Sequence, residues 1–130
     1  MAACGKIFKI RLTDYQLELV CMATMEDFEK LEIRVGTIIR VEDFPEAKKP
    51  AYKLWIDLGE IGVKQSSARI TELYAKDDLT GKTVICVTNL GSRKIGPFVS
   101  EVLTTGFYRS DGSVVLAVPD KEIPNGARLG

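Results

Sequence analysis

Tyr52, Leu54, Ile56 and Leu58 alternate with Lys53, Trp55 and Asp57. A period of two sends successive side chains to opposite faces of a strand, so this run specifies a half-buried β-strand and fits no helix. Its neighbours read the same way. Leu31, Ile33, Val35, Ile39 and Val41 alternate with Glu32, Arg34, Gly36, Ile38 and Arg40, a first strand in which Ile38 is the apolar exception facing away from the core set. Gly36, mid-strand, marks a bulge or tight bend. Pro45 and Pro50 break the chain into a loop between these two strands, and Gly59-Glu60-Ile61-Gly62 turns the second strand into a third, Val63 to Ile70. Thr71 to Leu79 has the length of a short helix, closed by Gly81. Thr83 to Thr88 and Phe98 to Thr105 form the fourth and fifth strands, and Val114 to Val118 a further short one. The fold class is all-β.

With 130 residues the chain can bury a core without metal or disulfide staples. Formal net charge is zero, so nucleic-acid contact must come from local clustering of cations. Gly81 to Arg109 supplies one such cluster: Lys82, Arg93, Lys94 and Arg109 against the single acid Glu101. Cys4, Cys21 and Cys86 are widely spaced and no histidine is present, which excludes the usual zinc patterns and suits a reducing cytoplasm. No cofactor motif survives inspection either. Gly81-Lys82-Thr83 ends like a phosphate-binding loop, but Lys76 stands where its first glycine belongs. Ser66 and Ser67 have no histidine to activate them, and no catalytic constellation is expected.

Residues 1–24 differ in texture. Ile7 to Leu12 reads as a strand, and Thr13-Asp14 as the cap of a short helix through Tyr15, Leu19 and Met22. Lys9, Arg11, Asp14 and Glu18 interrupt any signal-like apolar run, and no stretch is long enough to insert in a membrane. The expectation is an N-terminal extension over 1–24, arising from an upstream start, followed by one domain over 25–130 that opens at Met25.

Three strands in a meander, a helix and two more strands is the order of a five-stranded Greek-key barrel of the oligonucleotide/oligosaccharide-binding (OB) type, with a short helix between strands three and four. Such barrels bind ligands on the face of strands two and three, flanked by the loops between strands one and two and strands four and five. The polar groups gather there. Lys48 and Lys49 lie in the first of these loops. Asn89-Leu90-Gly91-Ser92-Arg93-Lys94-Ile95-Gly96-Pro97, a cationic loop, lies in the second. Lys53 and Trp55 share the non-core face of strand two. A cation beside an aromatic suits single-stranded RNA, where phosphates take the charge and a base stacks. Packing Trp55 into the end of the barrel or into a dimer interface would satisfy the pattern equally well.

Several of these segments, in order, resemble the tRNA-binding OB domain family: Glu32-Ile33-Arg34-Val35-Gly36-Thr37-Ile38, Phe44-Pro45-Glu46-Ala47, Lys64-Gln65-Ser66-Ser67, Asn89 to Lys94, then Ser100-Glu101. The likeness covers Met25 to Gly130. Phe44 stands where synthetase-appended members carry histidine, and Val102-Leu103 follows Ser100-Glu101. With Pro124-Asn125-Gly126 near the end, these features look most like the CsaA branch. The resemblance implies tRNA binding through Lys53, Trp55, Gln65, Ser66, Ser67, Asn89, Arg93, Lys94, Ser100 and Glu101. In it Arg93, Lys94 and Lys53 engage phosphates, while Asn89, Ser66 and Ser100 hydrogen-bond sugar or base edges. It also implies a homodimer and, as a competing role, a chaperone that holds unfolded preproteins for the export machinery in a cleft lined by Trp55, Phe44 or Phe98. An aromatic cleft with polar groups serves either role, and the sequence leaves both open.

Overall fold

The structure is a computed structural model and describes residues 22–130. The expected strand over 7–12, the helix opened by Thr13-Asp14, and the cysteines Cys4 and Cys21 lie outside the described residues. The chain divides into two compact units, Met1–Lys30 and Leu31–Gly130. In the first, α1 (Met25–Lys30) starts at a reciprocal cap. Thr24 Oγ1 accepts the Asp27 N–H at 3.1 Å and the Asp27 carboxylate accepts the Thr24 N–H at 3.0 Å. The hydrogen bond from the Thr24 backbone, reinforced by its side chain, holds the Asp27 carboxyl below the usual carboxylate range.

The second unit is built on a five-stranded antiparallel sheet in the order β3-β2-β1-β4-β7. Its strands are β1 (Ile33–Asp43), β2 (Tyr52–Asp57), β3 (Val63–Ala68), β4 (Thr83–Val87) and β7 (Leu103–Thr104). Two hairpins are added: β5 (Arg93–Ile95) with β6 (Phe98–Ser100), and β8 (Gly106–Tyr108) with β9 (Val114–Leu116). The sheet curls so that β3 meets the segment after β6, where the Glu101 and Val102 N–H groups both donate to the Gln65 carbonyl at 2.8 and 3.3 Å. This is the nearly closed OB-type barrel that the strand order implied. No described helix is long and apolar enough to cross a membrane.

Inside lie Ile38, Leu54, Ile56, Leu58, Leu79, Val84 and Cys86, all inaccessible to solvent. Burial pushes the Cys86 thiol up to about 11, so the reactive thiolate is suppressed at neutral pH.

Ile38 corrects the sequence reading. Pairing of β1 with β2 slips between Ile38 and Arg40, a β-bulge that inserts Ile39 and shifts the alternation by one. Ile38 faces the core in register with Gly36, and past the bulge Val41 takes the core side while Ile39 faces the solvent. Gly36 does not make the bulge. It pairs regularly with Val84, and its missing side chain lets β2 pack close: a Cβ there would lie 2.5 Å from Ile56 Cγ2 and 2.7 Å from Leu58 Cδ2.

Three further expectations change in detail. The helix is the single turn α2 (Lys76–Leu79), with Thr71 to Leu73 a turn before it. The fifth strand breaks into β6 and β7, because Glu101 and Val102 turn their N–H groups to β3. Strand β8 had no sequence signal of its own and pairs with β9.

The C-terminal segment continues the sheet past the end of β2. Gly126 N–H donates to the Val35 carbonyl at 2.7 Å, Val35 N–H to Ala127 at 3.0 Å, and Leu129 N–H to Ile33 at 2.8 Å. Arg34 reaches the Gly126 carbonyl at 2.8 Å, and the Thr37 hydroxyl donates to Asn125 Oδ1 at 2.7 Å.

Candidate nucleic-acid interface

Alternation along β2 leaves Lys53 and Trp55 on its outer face, and that face carries a second, smaller core. Phe44 from the β1–β2 loop and Phe98 from β6 meet edge to face with centroids 5.4 Å apart, and Trp55 meets Phe98 likewise at 5.8 Å. Phe44 and Phe98 are buried, so the cleft expected between the aromatics is filled by their own packing. Lys53 is drawn into the cluster. Its ammonium lies 5.0 Å from the Phe44 ring centre, 5.6 Å from Phe98 and 3.8 Å from Glu46. Its side chain is only 18 % exposed, so its charge is largely spent within the fold, not offered to a phosphate.

Arg40, which sequence reasoning missed, lies 4.7 Å over the Trp55 ring and pairs with Glu42. The bulge at Ile39 sets it directly opposite Trp55, so only the register of the folded strands could reveal it. With the Gln65 amide turned to the orientation that satisfies both neighbours, its oxygen accepts from the Trp55 indole Nε1–H at 3.1 Å and its nitrogen donates to the Val99 carbonyl at 3.0 Å. Gln65 thereby ties β2 to the β5–β6 hairpin.

Ser67, Ser100 and Glu101 also face one another. The edge of β3 has unpaired N–H groups here, and side chains take them up. Ser67 N–H donates to Ser100 Oγ at 3.1 Å and Gln65 N–H to Glu101 Oε1 at 3.1 Å. These groups seal the barrel seam. Ser66 is fully buried and accepts a hydrogen bond from the Thr104 hydroxyl at 2.8 Å, so it is withdrawn from the ligand set. Asn89 Oδ1 accepts the Glu32 N–H at 2.8 Å and joins the end of β4 to the start of β1.

Arg93 and Lys94 remain exposed, but on a strand and not in a loop: Gly96-Pro97 makes the turn, and β5 pairs with β6. Arg93 lies opposite Ser100 and Ile95 opposite Phe98, which places Arg93 on the barrel-facing side of the hairpin. Lys94 lies opposite the exposed Val99 on the other side. The two cations point apart.

The sequence matches the tRNA binding domain family over residues 33–128. Among solved structures, the chaperone CsaA of Bacillus anthracis str. Ames superposes with a TM-score of 0.81 at 44% identity, covering 85% of this chain and 100% of that one. The CsaA chaperone protein of Picrophilus torridus gives 0.79 at 48% identity, covering 84% and 100%. The chain is a CsaA-like member of the tRNA-binding domain family. A methionine–tRNA ligase of Thermococcus onnurineus is 40% identical over 105 residues. That match takes in 80% of this chain but 14% of the ligase, so only one part of the ligase shares the family domain. Among the described residues no cluster of histidine, cysteine or acidic side chains could hold a metal ion.

Proposed function

We propose that this protein is a non-enzymatic tRNA-binding module that works in the cytoplasm through residues 25–130, with 1–24 an extension to that domain. The observation that carries the reading is the β5–β6 hairpin. It presents Arg93 and Lys94 to solvent while Phe98 and Gln65 fasten it to the β2–β3 face. A rigid cationic hairpin fits the sugar-phosphate surface of a folded RNA, which is recognised by shape. Arg40 over Trp55 adds a cation–aromatic pair beside it. Lys53, Gln65, Ser67, Asn89, Ser100 and Glu101 hold this surface in place. The test is recovery of the protein from cell lysate with and without RNase. Co-purifying tRNA that RNase removes is the expected result; protein free of tRNA before RNase treatment overturns it.

The chaperone reading rests on the two CsaA structures, each described as a chaperone. Burial of Phe44 and Phe98 counts against a client cleft between the aromatics, and leaves export clients as the second reading. The large apolar side chains that do stand exposed are elsewhere. Phe107 is 68% and Tyr108 84% exposed on β8, with Leu103 nearby in sequence on β7. We assign them to contact with a second copy of the chain, since rings this open are costly on a monomer. Light scattering at micromolar concentration should give a dimer that Phe107→Ser with Tyr108→Ser converts to monomer. A wild-type monomer removes this assignment.

A further inference from the structure

A pocket of about 190 Å³ opens at one end of the barrel, apart from the aromatic cluster. It is lined by the apolar Ile61 and Val102 and by Thr88, Gly91 and Ser92. Two charged side chains, Lys64 and Glu101, complete it.

The position of Lys64 is unusual. It lies opposite Ile56 in the β2–β3 ladder, as Ser66 lies opposite Leu54 and Ala68 opposite Tyr52. Cross-strand partners share a face, and Ile56, Leu54 and Tyr52 are core residues. Lys64 is therefore on the interior register of its strand, at the barrel mouth and half-buried. A charge so placed is costly unless something pairs with it. None of the ion pairs among the described residues includes Lys64.

Glu101 faces the same space with one oxygen occupied, since Oε1 accepts the Gln65 N–H, and its second oxygen takes no bond among the described residues. Gly91, at φ +85, has nothing within 4 Å of where a Cβ would stand, so the pocket is open on its side. Taking about 30 Å³ per water, the pocket displaces roughly six waters, room for one flat heterocycle and not for a folded element.

We infer that this pocket receives one unstacked base of the bound RNA, guanine by preference, with Lys64 donating to the base and Glu101 accepting from it. Guanine presents O6 next to N1–H and the N2 amine, an acceptor beside two donors on one edge. That edge complements an ammonium beside a carboxylate. The adjoining phosphate then falls near Arg93, the residue after Ser92. The inference rests on the tRNA-binding reading and extends it: the hairpin holds the backbone, and the barrel mouth reads a base.

The experiment uses the full chain and two readouts. In the first, tRNA affinity is followed against salt for wild type, Lys64→Met and Arg93→Ala. Lys64→Met is expected to weaken binding about tenfold with the salt slope unchanged, because a base contact releases no counterion. Arg93→Ala is expected to flatten the slope. In the second, guanosine monophosphate at millimolar concentration is titrated into labelled protein, and the amide signals of Gly91, Ser92 and Glu101 are expected to shift. Uridine monophosphate should shift them less.

Unchanged affinity in Lys64→Met overturns the inference. So does a flattened slope in that variant, which would make Lys64 a phosphate contact. Shifts with a short unstructured peptide but not with guanosine monophosphate also overturn it. If wild type binds no tRNA, the proposed function falls, and the nucleotide titration still decides the pocket by itself. Lys64→Gln repeats the test if Lys64→Met alters the unfolding midpoint.

Discussion

Phe98→Ala is expected to destabilise the protein by about 3–5 kcal/mol, the range for removing a large ring from a packed site. Phe98 is 6% exposed and touches both Phe44 and Trp55 edge to face. Its ring is the only one that the β5–β6 hairpin contributes to the small core, so alanine there also frees the hairpin. Urea unfolding measures the stability term, and amide exchange at Arg93 to Ile95 measures the release. Phe98→Leu should restore most of both. Affinity for tRNA should fall in Phe98→Ala although Phe98 itself meets no ligand, because the cations must then be ordered on binding. A midpoint and exchange pattern equal to wild type would mean the hairpin is held by something other than this ring.

The second large effect separates two adjacent cations. Arg93→Ala should weaken tRNA binding by about tenfold at low salt and reduce the slope of log affinity against log salt by about 0.7–0.9. Lys94→Ala should do clearly less. The reason is the register. Arg93 shares the barrel-facing side of the hairpin with Ile95 and Phe98, whereas Lys94 sits opposite Val99 on the far side. Arginine also grips a phosphate with two parallel donors, which lysine does not. Filter binding across a salt series measures both terms. Equal losses in the two variants, or a larger loss for Lys94→Ala, would place the RNA on the outer side of the hairpin and reverse the assignment.

The parts of this fold legible in the sequence are those in which one strand reports on itself. Tyr52 to Leu58 keeps its alternation unbroken because β2 pairs residue by residue with β3 and the bulge in its ladder with β1 lies in β1. The first strand was misread because Ile38 and Val41, three apart, both face the core across a bulge that no glycine or proline marks. Arg93 to Ile95 looked like a loop since its strand is three residues long, bounded by glycines. The sequence singles out residues whose duties in the fold depend on partners far along the chain. Ser100 and Glu101 serve the edge of β3, Asn89 serves the start of β1, and Lys53 is engaged by Glu46 and two phenylalanines. Arg40 at Trp55 could not be seen at all before the bulge was known.

Residues 126–129 have a consequence for the order in which the barrel forms. The first half of β1 takes its second neighbour from residues 126–129, and Arg34 bonds to a carbonyl 92 positions later. Closing so long a loop comes late and is slow. During synthesis β1 emerges early and must wait, with one flank bare, until residues 126–129 have left the ribosome. A nascent chain stalled before residue 126 would hold a finished β1–β2–β3 meander and an unfinished barrel. In that interval the protein presents an open strand to whatever else is being made nearby.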